Sequence, residues 1–483
     1  MDDAFIVYRY AANLAAGQGF AFNPGERVEG VSCFLWTLAL VPAAWLGLGL
    51  PDASRWLTAA AGLALLALFP GTSARLRGAP RPDAGDWIAA GLVAVQPAFA
   101  YWSVGALETV PYALLWLLAL RDGARERERG GLRSAGWAGL ACLTRPEAPL
   151  LALALGLERL GWPRPRRAAD ALAWLSLVAA IFLPFLAFRW LYFGDWLPNT
   201  YYAKAGGGLA VTLAAGLGYG AAFLADWVPG FGARGAAPAA LGALVAGALL
   251  VRGLALPRTR APAALCSALA LAVLLEGGDW MPLSRFFVPA LPWLTWLAVD
   301  AGRSLARRRP GWRPALAALA TLFAASQVAR GLAERAEMIA HQAGYDRAHG
   351  AIAAELARRA RPGDAVALMD VGRIGFETGL RVIDISGLTD RDVARAPGTF
   401  LDKHYPVAWI LDREPRFVVL AEGFRIDARI ARDPRFRREY RPVASRRSRL
   451  YPLVVFERVA PAASSRSKTQ KTEPSSKRIG ASR

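Results

Sequence analysis

The chain opens on two adjacent carboxylates, Asp2 and Asp3, at the start of a helical pattern, with Arg9 seven residues beyond Asp2. Residues seven apart share a helix face, so Arg9 is placed to hold a carboxylate ionised, the state a general base requires. The same pair has a plain structural use, because acidic side chains at a helix start accept its otherwise unpaired N–H groups. Further ionisable residues come in short clusters: Glu26, Arg27 and Glu29; Glu108; Arg145 and Glu147 around Pro146; Asn199, Tyr201 and Lys204; Asp279 and Trp280 with Arg285. Each reads two ways. Glu26 and Glu29 hold their loop through Arg27 or touch a substrate. Glu108 caps the next helix or lines a site. Arg145 and Glu147 pair with other loop charges or serve a ligand. Lys204 snorkels to an interface or meets an anion. Asn199 holds loop backbone or contacts substrate, and Asp279 with Arg285 pins a turn or acts in a reaction. Adjacent acids also suit a divalent cation such as Mg²⁺ or Ca²⁺, but two carboxylates are too few to define that site.

These clusters sit in the gaps of an apolar chain. Of 483 residues 54% are hydrophobic, only 20% are charged and 17 are Trp, which excludes disorder, a coiled coil and a disulfide scaffold. Uncharged runs recur at 31–50, 56–74, 87–107, 171–188, 209–225, 235–251, 261–275, 286–299 and 314–329. At about 1.5 Å per residue the longest can cross a hydrocarbon layer about 30 Å thick. The expectation is a polytopic α-helical membrane protein of roughly 10–12 spans over residues 31–330. Arginines crowd one set of loops, among them Arg75, Arg77 and Arg81, Arg121 to Arg133, Arg252 to Arg260, and Arg303 to Arg313. The positive-inside rule assigns these loops to the cytoplasm, so the net charge of +20 is a topology signal and not a nucleic-acid footprint. The loops at 1–30, 102–108, 194–208 and 277–285 then face the opposite side. Parity fails by one near the start: the runs 31–50 and 56–74 cannot both cross, so either one is re-entrant or one loop is assigned to the wrong side, and the run near 209–227 is expected to lie along the interface. A first segment exported without a preceding span also leads to the expectation of a helix upstream of Met1.

From residue 331 the composition turns amphipathic. A helix is expected over 334–361, stopped by Pro362 and Gly363, then strands at 365–369, 382–385, 417–420 and 450–456, giving a soluble α/β domain over 331–460. The run Asp370 to Gly375 lacks the spacing of a dinucleotide-binding turn and reads as a strand-to-turn element. Residues 461–483 read as a disordered basic tail. Cys33, Cys142 and Cys266 lie in apolar runs, and His341, His349 and His404 are scattered, so neither type points to a metal centre.

Six segments in order carry a resemblance: Asp2-Asp3-Ala4-Phe5-Ile6 with Tyr8-Arg9-Tyr10 and then Phe22 to Gly30; Trp102 to Thr109; Thr144 to Glu147; Pro198 to Lys204; Gly277 to Pro282 with Arg285; and Asp384 to Asp390. Together they resemble GT-C fold glycosyltransferases, most nearly those similar to the mycobacterial terminal arabinofuranosyltransferase and more remotely the protein mannosyltransferases. The resemblance implies an inner-membrane enzyme of the bacterial envelope, with its active site facing the periplasm. Such an enzyme moves a sugar from a polyprenyl-phosphate donor to a glycan or glycolipid acceptor. It implies Asp2 or Asp3 at the reacting centre, with Arg285, Lys204 and Arg145 as candidates for the donor phosphate and Trp102, Trp280 and Tyr201 for sugar faces. The other classes weighed are a membrane-anchored glycan-binding protein without catalysis and a lipid or solute transporter.

Overall fold

The computed structural model describes residues 1–228 and 235–459; the tail expected at 461–483 lies outside them. The chain begins with helix α1 (Asp2–Ala15), a long loop, α2 (Phe34–Trp45) and α3 (Leu50–Leu76). There follow α4 (Ala84–Ala94), α5 (Pro97–Trp102), α6 (Thr109–Arg129), α7 (Arg133–Cys142), α8 (Ala148–Glu158) and α9 (Arg167–Phe193). The membrane part closes with α10 (Asn199–Lys204), α11 (Gly208–Trp227), α12 (Ala236–Ala255), α13 (Arg260–Glu276), α14 (Leu291–Arg308) and α15 (Arg313–Arg359). This is a multi-pass helical membrane protein.

The bundle has two chemically different ends. One gathers the arginine-rich loops; there Asp86 of α4 is fully buried and accepts from Ser73, Arg77 and Arg303, tying α3, α4 and α14. The other end gathers the four loops that carry carboxylates, Asn and aromatics. The packing of two apolar helices bears on the parity near the start and on the run at 209–227. Helix α2 starts against the carbonyl of Leu143 and finishes with Trp45 Nε1 donating to Ala15 O at 3.1 Å, so it stays at the second end and α3 makes the first crossing. Helix α11 is long and apolar enough to span. Its course is different: Gly216 packs on Leu274, two residues from the end of α13, and Asp226 pairs with Arg330 of α15 at 3.3 Å. It therefore lies against the loop end of α13; among the described residues α3, α9, α12 and α15 are the other helices long and apolar enough to cross a membrane.

The helix expected over 334–361 is the upper part of α15, which continues from the membrane without a break. Above the second end sits the α/β domain. Its elements are β1 (Ala365–Leu368), α16 (Val371–Thr378), β2 (Arg381–Asp384), α17 (Arg391–Arg395), β3 (Gly398–Thr399), β4 (Asp402–Lys403) and α18 (Ala408–Leu411). It ends with β5 (Phe417–Ala421), α19 (Arg425–Arg432), α20 (Pro434–Glu439), β6 (Tyr440–Arg447) and β7 (Pro452–Arg458). The main sheet has the order β2-β1-β5-β7-β6; β2, β1 and β5 are parallel, and β7 pairs antiparallel with both β5 and β6. Strand β6 was not foreseen, because Arg441, Arg446 and Arg447 with Pro442 give it the composition of a loop.

Buried polar contacts fasten this domain to the first loop and to α10. Arg9 is 5% exposed, and its guanidinium donates to the carbonyls of Phe22, Gly375 and Leu380 at 2.7, 2.6 and 2.7 Å and to Asn23 Oδ1 at 3.2 Å. The expectation that Arg9 holds an aspartate ionised is therefore corrected, since all its hydrogen bonds go to neutral acceptors. Asn199 Nδ2 donates to the carbonyls of Gly387 and Leu388 at 2.8 and 3.0 Å, in the turn that the buried Asp384 carboxylate shapes by accepting from the backbone of Ser386, Gly387 and Thr389. Each buried acceptor abandoned by its donor costs on the order of 1–3 kcal/mol. Arg9→Met should lower the thermal midpoint of the purified protein and expose the loop at 16–30 to limited proteolysis. An unchanged midpoint and cleavage pattern would show that the guanidinium is not the fastening.

Candidate active site

Two neighbouring aspartates on α1 have different fates. Asp2 points at the start of α16, where its carboxylate accepts from the backbone N–H of Gly372 and Arg373, each at 2.8 Å, and from the Tyr345 hydroxyl. A helix N-terminus carries unpaired N–H groups and a positive dipole end, so it is a natural seat for an anion. The segment Asp370 to Gly375, expected as a strand-to-turn element, is instead the cap and first turn of α16, and it holds a carboxylate of its own chain where a nucleotide-binding turn would hold phosphate. Gly372 permits the approach, since a Cβ there would lie 2.1 Å from the Asp2 carbonyl oxygen. Around this seat the Tyr345 ring stacks on His349 at 3.7 Å, and Asp370 accepts from Tyr451 at 2.6 Å and faces His349 Nε2 at 2.8 Å. The sequence hid this cluster because its members come from α1, α15, α16 and β7.

Asp3, one residue on, makes no hydrogen bond or ion pair among the described residues and faces the cluster formed by the remaining loops. Burial raises its pKa to about 6, opposed by the nearby charges of Lys204 and Arg285. Lys204 is exposed and makes no ion pair among the described residues; its ammonium lies 5.8 Å from the ring of Phe400, in the loop between β3 and β4 of the soluble domain. Arg285 is 7% exposed and contacts Asp279 Oδ2 through Nε at 2.7 Å, with its plane between the rings of Trp102 and Phe286. That contact is an ion pair without hydrogen-bond alignment. Burial opposes ionisation of Asp279, and Arg285 with Lys204 outweighs it, so the carboxyl is held below its usual range. Leu283 and Ser284, just before Arg285, are both left-handed, with φ of 60° and 48°. Non-glycine residues held there cost on the order of 1–3 kcal/mol each, and such strain gathers where a fold must aim a side chain.

Arg145 is different. It forms ion pairs with Glu108, at 2.7 Å, and with Glu147, all three nearly sealed from solvent, and lies 4.4 Å from the ring of Phe286. Its charge is matched by two carboxylates of the chain, the loop pairing that is the plainer of the two expectations for it. Glu276, the last residue of α13, adds a carboxylate within electrostatic reach of Arg145, Glu147, Lys204 and Asp279. It was missed, although an acid closing an apolar run before Gly277-Gly278-Asp279 was a usable signal. Glu29 is held by the buried Arg189 of α9, at 2.7 and 3.1 Å, and Glu26 by Arg381 at 2.9 Å, while Arg27 lies over the Tyr192 ring. The loop is pinned as expected, with Arg189 and Arg381 in the place given to Arg27. Trp102 is fully buried, with Nε1 donating to Pro282 O at 3.2 Å, so it supports Arg285 and offers no face to a sugar; Trp280 and Tyr201 are exposed.

Fold and site together define the class: a GT-C type membrane protein whose soluble α/β domain roofs a charged site at the bundle's end. The solved structures agree. ArnT from Cupriavidus metallidurans bound to undecaprenyl phosphate superposes with a TM-score of 0.56 at 14% identity over 95% of this chain and 94% of that one. ArnT of the same organism in the apo state gives 0.53 over 94% and 93%. In sequence, the chain resembles the terminal β-(1→2)-arabinofuranosyltransferase of Mycobacterium tuberculosis, 32% identical over 229 residues, which is 43% of this chain and 35% of that protein. The enzyme of the same name from Corynebacterium glutamicum is 31% identical over 237 residues, 42% and 33% of the two chains. The chain thus spans about a third of the length of the curated relatives it matches. Residues 335–465 match a family described as a domain of unknown function, DUF8728.

The division of labour between the aspartates is open to direct measurement. Asp2→Ala should speed amide hydrogen exchange at Gly372 and Arg373 by tenfold or more, whereas Asp3→Ala should leave those amides as they are. Equal exchange in the two variants would contradict the assignment.

Proposed function

We propose that the protein is a membrane glycosyltransferase that transfers a sugar, an arabinofuranose or another pentose or hexose, from a polyprenyl-phosphate donor to an envelope glycan or glycolipid. The observation that carries this reading is the unpaired Asp3 carboxylate set against two cations, one of them, Lys204, also unpaired. Asp3 is partly buried and has no partner among the described residues, and a carboxylate so placed beside an exposed ammonium and a buried guanidinium supports a ligand in the space between them. The arginine-rich loops, on the positive-inside rule, support an opposite end in the cytoplasm of a bacterial inner membrane and a site at the periplasmic face.

In the proposed reaction the acceptor oxygen attacks the anomeric carbon from the face opposite the donor phosphate, the bond from that carbon to the phosphate oxygen breaks, and Asp3 takes the acceptor proton. The configuration inverts. The leaving group is a polyprenyl monophosphate, stable as an anion, so a protonating acid is not required as it is in glycoside hydrolysis. It does need positive charge where its own charge develops. Lys204 supplies a mobile point charge and Arg285 a fixed one. Asp279 keeps Arg285 in place, Arg145 with Glu108 and Glu147 forms the floor, and Trp280 and Tyr201 lie at the rim. Asp2 acts through α1 as the residue that positions Asp3.

A base has to be deprotonated to work, so turnover should rise with pH through about 6 and then level. With radiolabelled polyprenyl-phosphate arabinofuranose as donor and an arabinan fragment as acceptor, Asp3→Asn should lose on the order of 10²–10⁴ in rate. Lys204→Ala should weaken the transition state for phosphate departure and lower kcat. Full activity in Asp3→Asn would overturn the assignment of the base.

A further inference from the structure

At the end of the bundle away from Asp3, a cavity of about 450 Å³ opens among the ends of α3, α6 and α8, the start of α9 and the α12–α13 loop. Three of the arginines on its wall are already committed. Arg159 is paired with Glu126 and donates to Ser134 Oγ, Arg164 pairs with Asp170 at 2.8 Å, and Arg127 donates to the Pro257 carbonyl. Four groups are not. The side chains of Arg75, Arg258 and Glu128 make no ion pair or hydrogen bond among the described residues; Arg258 and Glu128 are exposed, whereas Nη1 of Arg75 is buried without a partner. Glu158 is 8% exposed; its Oε2 accepts from Trp162 Nε1 at 2.7 Å, while its Oε1 is buried and empty-handed.

A buried N–H or carboxylate oxygen left unmatched costs free energy that a complementary ligand returns. This cavity presents one need of each sign, and a simple anion would meet the guanidinium groups only to face the Glu158 carboxylate. We infer that the cavity is a binding site for a zwitterionic phospholipid head group, with the phosphate on Arg75 and Arg258 and a primary ammonium on Glu158 Oε1. Guanidinium suits phosphate because its fork of donors matches the oxygens, and a primary ammonium, unlike a quaternary one, has an N–H to give the carboxylate. Trp162 and Trp174 line the same cavity with apolar Leu76, Leu120 and Leu155, an arrangement suited to the interfacial depth of a glycerol backbone. The volume is that of a small-ligand pocket.

The test uses the full chain in nanodiscs containing equal amounts of phosphatidylethanolamine, phosphatidylglycerol and phosphatidylcholine, released into the gas phase for native mass spectrometry. The protein should retain phosphatidylethanolamine at least tenfold over each of the other two, and inorganic phosphate at millimolar concentration should not displace it. Arg75→Gln with Arg258→Gln should cut retention of phosphatidylethanolamine tenfold. Glu158→Gln should erase the preference over phosphatidylglycerol. Retention of phosphatidylglycerol above phosphatidylethanolamine, equal retention of all three, or displacement by phosphate would overturn the inference. Should the arginine variants fail to fold, judged by gel filtration and thermal midpoint, the lipid preference of the unaltered chain decides alone.

Discussion

The seat of Asp2 on the N-terminus of α16 is the contact on which the site depends. Successive residues of a helix point about 100° apart, so an anchor at one position sets the direction of the next. With the Asp2 carboxylate held by the backbone N–H groups of Gly372 and Arg373 and by the Tyr345 hydroxyl, α1 has no freedom to turn about its axis at that end, and Asp3 is aimed at Lys204 and Arg285. The soluble domain therefore belongs to the site in two senses: it fixes the rotation of α1 from one side, and on the other it sets the Phe400 ring 5.8 Å from the exposed Lys204 ammonium.

Around that anchor the charges sort by whether the protein matches them. Arg145, Arg189 and Asp86 are buried and fully answered by protein groups, and they behave as struts. Removing one partner of such a pair is more damaging than the pair is stabilising, which ties the helices together without making the contacts a source of function. Asp3 and Lys204 lie among these struts and are not answered. The contrast, more than any single distance, separates chemistry from scaffolding in a loop cluster where every residue is ionisable or aromatic.

Much of this was legible in advance. The apolar runs, the arginine bias and the strand-rich C-terminal segment follow from composition, and they predict the bundle, its two ends and the α/β domain. What could not be read is which neighbour a side chain meets. Arg9 has the right spacing on α1 to reach a carboxylate, yet besides Phe22 and Asn23 its partners are the carbonyls of Gly375, in α16, and Leu380, just before β2, both far along the chain. The runs that become α2 and α11 are as apolar as the crossing helices, and only their packing against Ala15, Leu143 and Leu274 keeps them at one face. Strand β6 escaped notice because an edge strand with one exposed flank tolerates the arginines and proline that elsewhere mark a loop.

Helix α15 runs 47 residues from the arginine-rich end into the soluble domain. At 1.5 Å per residue this is a rod roughly 70 Å long, so each degree of tilt carries its far end sideways by roughly 1 Å. Helix tilt responds to hydrocarbon thickness. The bilayer is in this way geared to Tyr345 and His349, which ride on the rod beside the Asp2 seat, and a thicker or thinner membrane works as a mechanical input to the geometry above it.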